Sequence, residues 1–349
     1  MTRISPLGLV VSVAALTTAT LAGPAVAQDN GTLVISTWGF NGDLLEEHLY
    51  APFEEEHGVD IVIDTGNNAD RLNRARIRGG GDIDLIYLAD AFTQEGIDDG
   101  LFAQIDRSQI PNIEQIYPIA RAPHGEEYGP AYTVGRYGII YDSAATDTPV
   151  TSWGDLWRDE FAGQITIPGI NTTAGQLIVI AAAEQAGVDA FDDPDAAFAS
   201  LEQLAPNLLT TYGRSSELVN LFAQGEVVIA PAQDFAFGRI QEAVPTAVWA
   251  ELDEGAFANL NAINVLASTD QPDLALAFIN WHLSADVQQT LAEVGVDAPV
   301  NVNVRLDPED AARWTYGQAV IDSLRTPDYA QLNSVRGDWT DRWNEVFAE

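Results

Sequence analysis

Two oppositely charged side chains bracket one predicted helix and strand in the second half of the chain. Arg214 precedes a helix predicted from Glu217 to Gln224, and Asp234 follows the strand that comes next. A guanidinium group can hold a carboxylate or phosphonate with two parallel hydrogen bonds, and a carboxylate can hold an ammonium group. Together with Arg136, the pair predicts a site for a small zwitterion. The alternative is that Arg214 and Asp234 form an ion pair or act as caps.

Small polar side chains mark the start of another predicted helix. Asn171, Thr172 and Thr173 come directly before a helix predicted from Ala174 to Ala186. The free backbone N–H groups of a helix start, with hydroxyl groups beside them, suit an anionic group of a ligand. The same residue types equally suit a simple helix cap. Thr172 and Thr173 are therefore candidate ligand contacts with a structural alternative.

Strand ends in the first half of the chain supply further candidates. Trp38, Phe40 and Asn41 follow the first predicted strand, and Asp90 follows the third, predicted from Ile83 to Leu88. In open α/β sheets, ligands bind outside the carboxyl ends of the strands. We therefore expect Trp38 to form an apolar wall of a cleft and Asp90 to be a second partner for an ammonium group. The alternatives are that Trp38 packs its strand on a helix and that Asp90 caps a helix.

The chain lacks recognisable catalytic and metal-binding patterns. It contains no cysteine, and its four histidines show no metal-ligand spacing. No serine lies in a nucleophile elbow, and there is neither a phosphate-binding loop nor a dinucleotide fingerprint. In a chain with 52 acidic residues, a pair of carboxylates carries almost no information about acid–base catalysis. We expect a protein that is not an enzyme and that has no cofactor and no metal site.

The charge balance restricts the partners. The formal net charge is −36, and all 16 basic residues are arginine. Nucleic acid is excluded as a partner, because phosphate binding requires a basic face. The acidic residues are scattered along the chain, which favours a solvated, halophilic type of surface over one that attracts cationic ligands.

The first 27 residues have the pattern of an export signal. Arg3 supplies a positive charge, residues 7–21 are rich in apolar and small residues, and Ala25-Val26-Ala27 is an A-x-A cleavage pattern. No later run approaches the roughly 18 apolar residues of a membrane span. We expect residues 1–27 to be a signal peptide cleaved near Ala27, and the mature chain to be periplasmic or extracytoplasmic without an anchor.

Strand and helix patterns alternate along the chain after the first 27 residues. The whole chain of 349 residues is long enough to form two lobes, each with its own core. This alternation predicts the α/β class, with parallel sheets and right-handed crossovers. The stretch from Gly129 to Tyr141 is predicted to be a strand that passes from one lobe to the other. Thr210 to Ser216 is predicted to be a polar turn.

A helix predicted from Asp70 to Arg78 carries Arg71, Arg74 and Arg78 on one face. We expect a solvated, ion-paired face there, with a docking patch for a partner protein as the alternative.

A series of motifs, in this order and spacing, resembles the extracytoplasmic solute-binding proteins of ABC importers. The first two motifs are the strand end at Trp38 and the crossover pattern Tyr132, Gly135, Gly138-Ile139 and Tyr141. The third is Ser152-Trp153-Gly154-Asp155-Leu156-Trp157 followed by Phe161-Ala162-Gly163 and Ile167-Pro168, and the fourth is the helix followed by Gly225-Glu226-Val227. The fifth is Ala275, Phe278-Ile279-Asn280-Trp281, Leu283-Ser284 and Gln288-Gln289, ahead of Pro299-Val300-Asn301. Within this superfamily the chain looks most like the spermidine/putrescine-binding branch.

The resemblance implies a two-lobe periplasmic-binding-protein fold of type II, with mixed sheets flanked by helices and a hinge between the lobes. We expect residues 28–132 with 259–305 in the first lobe and residues 133–258 with 306–349 in the second. The resemblance also implies closure of the lobes on a small-molecule ligand. The implied partners are a permease and its ATPase at the inner membrane, and we expect a monomer.

The ligand is where the chain departs from its polyamine-binding relatives, which hold alkyl-ammonium groups with an aromatic box and acidic residues. Where those proteins have aromatic or hydroxyl residues after the third strand, this chain has Ala89 and Ala91, and where they have a Trp after a later strand, it has Ala232 or Gln233. Asn259 and Asn261 lie where they have a Trp and an acid, and Asn171, Thr172 and Thr173 lie where they have acids of the second lobe. Relatives that take a small ω-amino acid resemble the arrangement of Arg214 and Asp234. We therefore favour a zwitterion such as γ-aminobutyrate. The alternatives are a polyamine, a ferric ion or another anion, and a secreted enzyme is the least favoured.

Overall fold

The computed structural model describes residues 1, 31–78 and 81–347, so the predicted signal peptide lies almost wholly outside the described residues. The strands in the described ranges are β1 (Thr32–Thr37), β2 (Asp60–Thr65), β3 (Leu85–Ala89), β4 (Ala131–Asp142), β5 (Ile165–Pro168), β6 (Leu208–Tyr212), β7 (Ile229–Gln233), β8 (Ala247–Trp249) and β9 (Phe257–Val265). They form one sheet with the order β2-β1-β3-β9-β4-β7-β5-β6, and β8 pairs with β4.

Helices cover both faces of this sheet. They are α1 (Gly42–Leu45), which continues through a π-helical turn (Glu46–Tyr50) into α2 (Ala51–His57), α3 (Asn68–Arg78), α4 (Asp90–Asp98), α5 (Pro118–Arg121), α6 (Gly175–Ala186), α7 (Pro194–Leu204), α8 (Ser215–Ala223), α9 (Phe237–Ala243), α10 (Pro272–His282), α11 (Ala285–Glu293), α12 (Pro308–Arg313), α13 (Gln318–Asp322) and α14 (Tyr329–Phe347). Among the described residues, no helix has both the length and the apolar character that a membrane span requires.

The first half of the sheet is built around β1, which pairs in parallel with β2 and β3. Leu33 and Ile35 are fully buried because alternate side chains of a strand share one face. Helices α2 and α10 cover that face, where the rings of Phe53 and Phe278 meet edge to face with centroids 5.0 Å apart. The carboxyl ends of β1, β2 and β3 therefore point to one edge of a packed layer.

Strands β4 and β9 join the two halves. β9 pairs antiparallel with β3 and with β4, and β4 pairs antiparallel with β7. Gly135 lies opposite Asn259, and two residues later Tyr137 lies opposite Gln233. β4 thus pairs with strands of both halves.

The second half packs on α6, α7 and α14. β5 pairs in parallel with β6 and β7. Leu177 and Ile178 of α6 are buried on this sheet. Trp339 of α14 is buried between Phe191 and Phe198, with ring centroids 5.5 Å and 6.4 Å away. The chain therefore returns with α14 to complete this core.

Two large groups of buried side chains reflect these halves. One draws on residues 33–134 and 258–300 together with Ile321, and the other on residues 137–257 and 329–343 together with Ala91. The predicted limits of the two lobes remain a prediction.

The structure differs from the sequence-based expectations in three elements. The sheet is mixed and not parallel throughout, because β4 and β9 run side by side in opposite directions where the chain crosses between the halves. The predicted polar turn is partly strand, since β6 extends to Tyr212 as a sheet edge. The strand that the sequence predicts from Ala262 to Ala267 is β9, which begins earlier, at Phe257, and ends at Val265.

The expected solvated face of α3 is wrong for one of its arginines. Arg74 forms the expected ion pair, with its Nη2 atom 2.8 Å from Asp64 Oδ2. Arg71, however, is fully buried. The side chain of Arg78 lies outside the described part of the chain.

Candidate ligand-binding site

Trp38 lies half-buried where the chain leaves β1, packed against the core of the first half. The guanidinium carbon of Arg71 is 4.5 Å from the centre of its ring. Phe40 is 68% exposed. Asn41 has the left-handed backbone conformation (φ 54°), which asparagine tolerates better than most residues, and precedes α1. Trp38 is thus held against the protein, while Phe40 presents its ring to solvent.

Arg71 holds the strand ends from which Trp38 emerges. Its Nη1 atom donates hydrogen bonds to the carbonyl oxygens of Ser36, at 3.0 Å, and Tyr87. Its Nε atom donates to the carbonyl oxygen of Gly66 at 2.9 Å, and Nη2 donates to Asn68 Oδ1 at 3.2 Å. Burial lowers the pKa of Arg71 to about 10, so the group stays protonated at neutral pH. This buried cation joins β1, β3 and the loop after β2.

Asp90 lies at the start of α4 and is 2% exposed. His124 Nε2 is 3.0 Å from its Oδ1 atom, and the backbone N–H of Leu260 donates to Oδ2 at 2.9 Å. Burial raises the pKa of Asp90, and the bonds from His124 and Leu260 oppose that rise. Both oxygens therefore have partners, and an ammonium group at Asp90 would compete with His124.

Arg136 occupies the point on β4 where the two halves of the sheet join. Its guanidinium carbon lies 4.6 Å from the centre of the Trp249 ring. Its Nε atom is buried without an acceptor, and within the described ranges the group is in no ion pair. Burial lowers its pKa, while the charges of Asp234 and Glu251 oppose this effect. The guanidinium is thus partly desolvated without a bound anion.

Asp234 follows β7, opposite Arg136. Its Oδ2 atom accepts hydrogen bonds from the backbone N–H of Arg136, at 3.2 Å, and from the hydroxyl of Thr315. Burial raises its pKa, whereas Thr315 and Arg136 lower it. The predicted partner Arg214 is not among the groups that affect this pKa. Asp234 therefore interacts with Arg136 and not measurably with Arg214.

The two asparagines of β9 face the same region. Asn259 is buried and Asn261 half-buried. A Cβ atom on Gly135 would lie 3.0 Å from Asp234 Oδ1 and 3.6 Å from Asn259 Nδ2. Glycine at this position therefore allows a carboxylate and an amide to approach the backbone of β4 from two sides.

The second-half candidates have separate local roles. The hydroxyl of Thr172 donates to the carbonyl oxygen of Gly169 at 2.8 Å and closes the turn before α6. Thr173 hydrogen-bonds the hydroxyl of Tyr137, whose pKa is nevertheless raised by burial. Arg214 is exposed, and its backbone N–H donates to Glu217 Oε2 at 3.1 Å. The contact with Tyr137 therefore places Thr173 close to β4, whereas the side chain of Arg214 is exposed at the start of α8.

Asp297 is a further candidate that the sequence analysis did not identify. It is partly exposed and lies in the segment between α11 and Pro299, which forms a bridge with Thr133. The hydroxyl of Thr133 donates to the carbonyl oxygen of Ala298 at 2.9 Å and fixes this segment beside β4. No hydrogen bond or ion pair reaches the Asp297 carboxylate from the described part of the chain.

The surroundings of Asp297 are aromatic. Its charge raises the pKa values of Tyr50, Tyr87 and Tyr132, in addition to the effect of their burial. Burial alone raises the pKa of Asp297 to about 7. A carboxylate that is desolvated and has no donor is stabilised by any ammonium group that reaches it. The one feature of the sequence that could have identified Asp297 is that it is a single acid within the apolar run Val296-Asp297-Ala298-Pro299-Val300.

The structure thus brings only some of the predicted residues together. Arg136, Asp234 and Asn259 form one cluster, and Trp38 stands with Arg71. Asp90 is bound by His124, and Arg214 lies apart on the surface. Among the described residues, no group of three His, Asp or Glu side chains is arranged to hold a metal ion.

Comparison with known proteins identifies the family. The family model for bacterial extracellular solute-binding proteins matches residues 48–317. The spermidine/putrescine-binding periplasmic protein of Escherichia coli K12 is 26% identical over 297 residues, covering 82% of this chain and 83% of that protein.

Solved structures agree with this match. An ABC transporter from Clostridium perfringens ATCC 13124 is 42% identical with a TM-score of 0.85, covering 90% of this chain and 99% of that one. The Atu4243-GABA receptor shares the fold at 19% identity, with a TM-score of 0.74 over 90% of this chain and 97% of that one. The two-lobe α/β fold with a mixed sheet is therefore confirmed. The chain belongs to the bacterial extracellular solute-binding proteins, and its expected kinship with the spermidine/putrescine-binding branch of ABC-importer binding proteins is confirmed.

Proposed function

We propose that this chain captures a small zwitterionic solute of the ω-amino-acid type by lobe closure and delivers it to a membrane permease. The observation that carries the proposal is a pair of charged groups beside β4 that have no direct partner among the described residues. Asp297 is a partly exposed carboxylate whose pKa is raised to about 7 by burial, and the Nε atom of Arg136 is buried without an acceptor, although the charges of Asp234 and Glu251 act on that guanidinium. A ligand with one ammonium and one acidic group would give each of them a direct partner.

The two charged groups are connected through β4, which contains Arg136 and bridges through Thr133 to Pro299 near Asp297. Tyr132, whose pKa is raised by the charge of Asp297, and Arg136 both belong to β4. Tyr132 belongs to the core of the first half, while Arg136 stacks on Trp249 of the second. A ligand that binds both charges would therefore contact both lobes. Such contacts, made only when the lobes approach, favour the closed state.

Similar proteins include binders of polyamines and of an ω-amino acid. The matching Escherichia coli protein binds spermidine and putrescine, and the Atu4243 protein is a receptor for GABA, an ω-amino acid. A diamine would meet Asp297 with one ammonium group but would place the other near the positive Arg136. A carboxylate at the second end removes that repulsion. The polyamine reading is retained as the second candidate because of the family match.

The remaining predicted contacts complete the proposal. Trp38, Phe40, Asn259 and Asn261 provide walls and amide groups, and Thr172, Thr173 and Arg214 can add to the anion side after closure. Asp234 and Asp90 would hold an ammonium group only after their present hydrogen bonds rearrange.

We further propose that the protein acts without catalysis. It is exported by cleavage near Ala27, works as a monomer, and presents its ligand to a permease that is driven by a cytoplasmic ATPase. The acidic composition provides the charged, solvated surface of a protein adapted to high salt.

A ligand screen on the mature chain tests the proposal. The thermal midpoint is measured with γ-aminobutyrate, 2-aminoethylphosphonate, putrescine, butyrate, butylamine and ferric citrate, at low and high salt. Ligands that bind only the folded state raise the midpoint, and at equal concentration the tighter ligand raises it further. We expect the two zwitterions to give the largest shifts. A dominant putrescine shift would support the polyamine alternative, and no shift with any amine would contradict both amine readings.

A further inference from the structure

The ring of Trp38 has a fixed positive charge behind it. The guanidinium carbon of Arg71 lies 4.5 Å from the ring centre. The donors of Arg71 are bound to the carbonyl oxygens of Ser36, Gly66 and Tyr87, so the group cannot turn away without breaking these bonds. Trp38 and Arg71 therefore act as one unit.

Among the described residues the charge of Arg71 has no direct carboxylate partner, although the charge of Asp64 partly offsets it and raises its pKa. All its hydrogen-bond acceptors are neutral carbonyl or amide oxygens. The neighbouring carboxylate of Asp64 is bound by Arg74 at 2.8 Å and by the hydroxyl of Ser36 at 2.8 Å. Within the described residues, Arg71 is in no ion pair of 4.0 Å or less. Its field therefore acts through the indole ring.

An exposed indole face normally attracts a cation. A cation on the outer face of Trp38 would lie roughly 8 Å from the Arg71 charge, where repulsion in a partly buried site is comparable to or larger than a typical cation–π attraction. An alkyl chain or an acidic group on that face meets no such penalty. The Arg71–Trp38 unit thus discriminates between ligand groups by their charge.

We propose that Arg71 is a specificity-determining residue that excludes a positively charged ligand group from the face of Trp38 and so selects against diamines. The inference rests on the proposed function in placing Trp38 at the ligand, but the electrostatic effect on Trp38 itself does not. It assigns the ammonium group to Asp297 and leaves the apolar or acidic part of the ligand for Trp38.

The ligand-free protein provides the first test. Quenching of tryptophan fluorescence is measured with caesium, iodide and neutral acrylamide in the unsubstituted chain and in Trp38→Phe, so that the difference reports Trp38. Relative to acrylamide, we expect caesium to quench Trp38 at least threefold less efficiently than it quenches the other tryptophans of this acidic protein. Equal relative quenching would overturn the inference, whatever the ligand proves to be.

Ligand selectivity provides the second test. We compare the ratio of dissociation constants for putrescine and γ-aminobutyrate in Arg71→Met, which removes the charge, and Arg71→Lys, which keeps it. Arg74→Met removes the same charge from the same helix without a contact to Trp38 and is the matched control. We expect Arg71→Met to shift the ratio about tenfold toward putrescine, and the other two to stay within about threefold of the parent.

The outcomes separate the two proposals. An unchanged ratio in folded Arg71→Met, or an equal shift in Arg74→Met, would overturn the role of Arg71. If neither probe binds the parent protein, the zwitterion proposal fails and the quenching result alone decides the inference. If Arg71→Met does not fold because several carbonyl oxygens lose their donor, quenching in the parent protein decides the inference.

Discussion

The guanidinium carbon of Arg136 lies 4.6 Å from the centre of the Trp249 ring. Trp249 belongs to β8, which pairs with the end of β4 beyond Arg136. The stacking holds the charge in place without a carboxylate, because an aromatic face supports a guanidinium through dispersion and cation–π attraction. Arg136 thus stays fixed in position without a direct ion pair among the described residues.

Removing the Arg136 charge should reduce binding of acidic ligands selectively. We expect Arg136→Gln to weaken γ-aminobutyrate at least tenfold, because a charge-assisted fork is replaced by a neutral amide, and to leave butylamine within about threefold. Isothermal titration calorimetry measures both. Arg239→Gln, at an exposed arginine, is the control and should match the parent. Equal losses for γ-aminobutyrate and for butylamine would contradict an anion-binding role.

Arg214 tests the alternative anion partner. Its side chain is exposed at the start of α8, so we expect Arg214→Ala to weaken γ-aminobutyrate by a smaller factor than Arg136→Gln does. The same titrations measure this. A larger loss in Arg214→Ala would transfer the anion-binding role to Arg214.

Asp297→Asn should have opposite effects on binding and on stability. We expect the amine ligand to bind at least tenfold more weakly, because the ammonium loses its counter-charge. The ligand-free protein should become more stable near neutral pH, because a desolvated charge is removed. Calorimetry and urea unfolding measure the two effects. Asp253→Asn, at an exposed carboxylate, should change neither, and reduced stability of Asp297→Asn would argue against an unsatisfied charge.

The pH dependence follows from the same group. Asp297 has a pKa of about 7 in the folded protein and near 4 when unfolded, so the folded state holds more protons between these values. Its contribution to stability is therefore present at low pH and lost as pH rises through about 7. The parent should lose about 2 kcal/mol relative to Asp297→Asn between pH 4 and 8, after discounting for partial exposure.

Ligand affinity should have the opposite slope. An ammonium group binds the ionised carboxylate, so the affinity of the parent should rise from pH 5 to about 7 and level off above. Asp297→Asn should lack this rise. Titrations in matched ionic strength measure it, and parallel profiles in both proteins would contradict the assignment.

Gly138 should be intolerant of a side chain because of Trp249. A Cβ atom there would lie 2.4 Å from Trp249 Cζ2, so Gly138→Ala must displace the ring that supports Arg136. We expect a loss of roughly 1–3 kcal/mol in unfolding free energy, with weaker binding of acidic ligands. Gly238→Ala, in helix α9 with no atom within 4 Å of the new Cβ, is the control and should be neutral or stabilising. Unchanged binding in a folded Gly138→Ala would show that the ring position does not matter to Arg136.

Local patterns were enough to predict most of the fold. The Leu33 to Ile35 run, the helix start at Ser152 and the crossover ending at Tyr141 each carry their information in neighbouring residues. Periodicity and capping are local properties, so they predicted the elements of the α/β class. The motif order then predicted the family. β6 was missed because an edge strand tolerates polar residues such as Thr210 and Thr211.

The burial of each charged side chain, and its ion-pair or hydrogen-bond partner, could not be predicted from local patterns. Arg71 and Arg74 look alike in sequence, yet one is fully buried under Trp38 and the other pairs with Asp64 at the surface. Asp90 and Asp234 were candidate partners for an ammonium group or local caps, yet both are hydrogen-bonded to residues distant in the chain. The available carboxylate, Asp297, stood in an apolar run without any motif.

The sequence by itself therefore determined the fold class, the family and the residues at the strand ends, because these follow from local periodicity and ordered motifs. Only the tertiary structure decided which charges have partners. Desolvation and hydrogen bonding depend on residues brought together from opposite ends of the chain, as Thr133 is with Ala298 and Arg136 with Trp249. The zwitterion first inferred from Arg214 and Asp234 is now proposed to bind Arg136 and Asp297 for that reason.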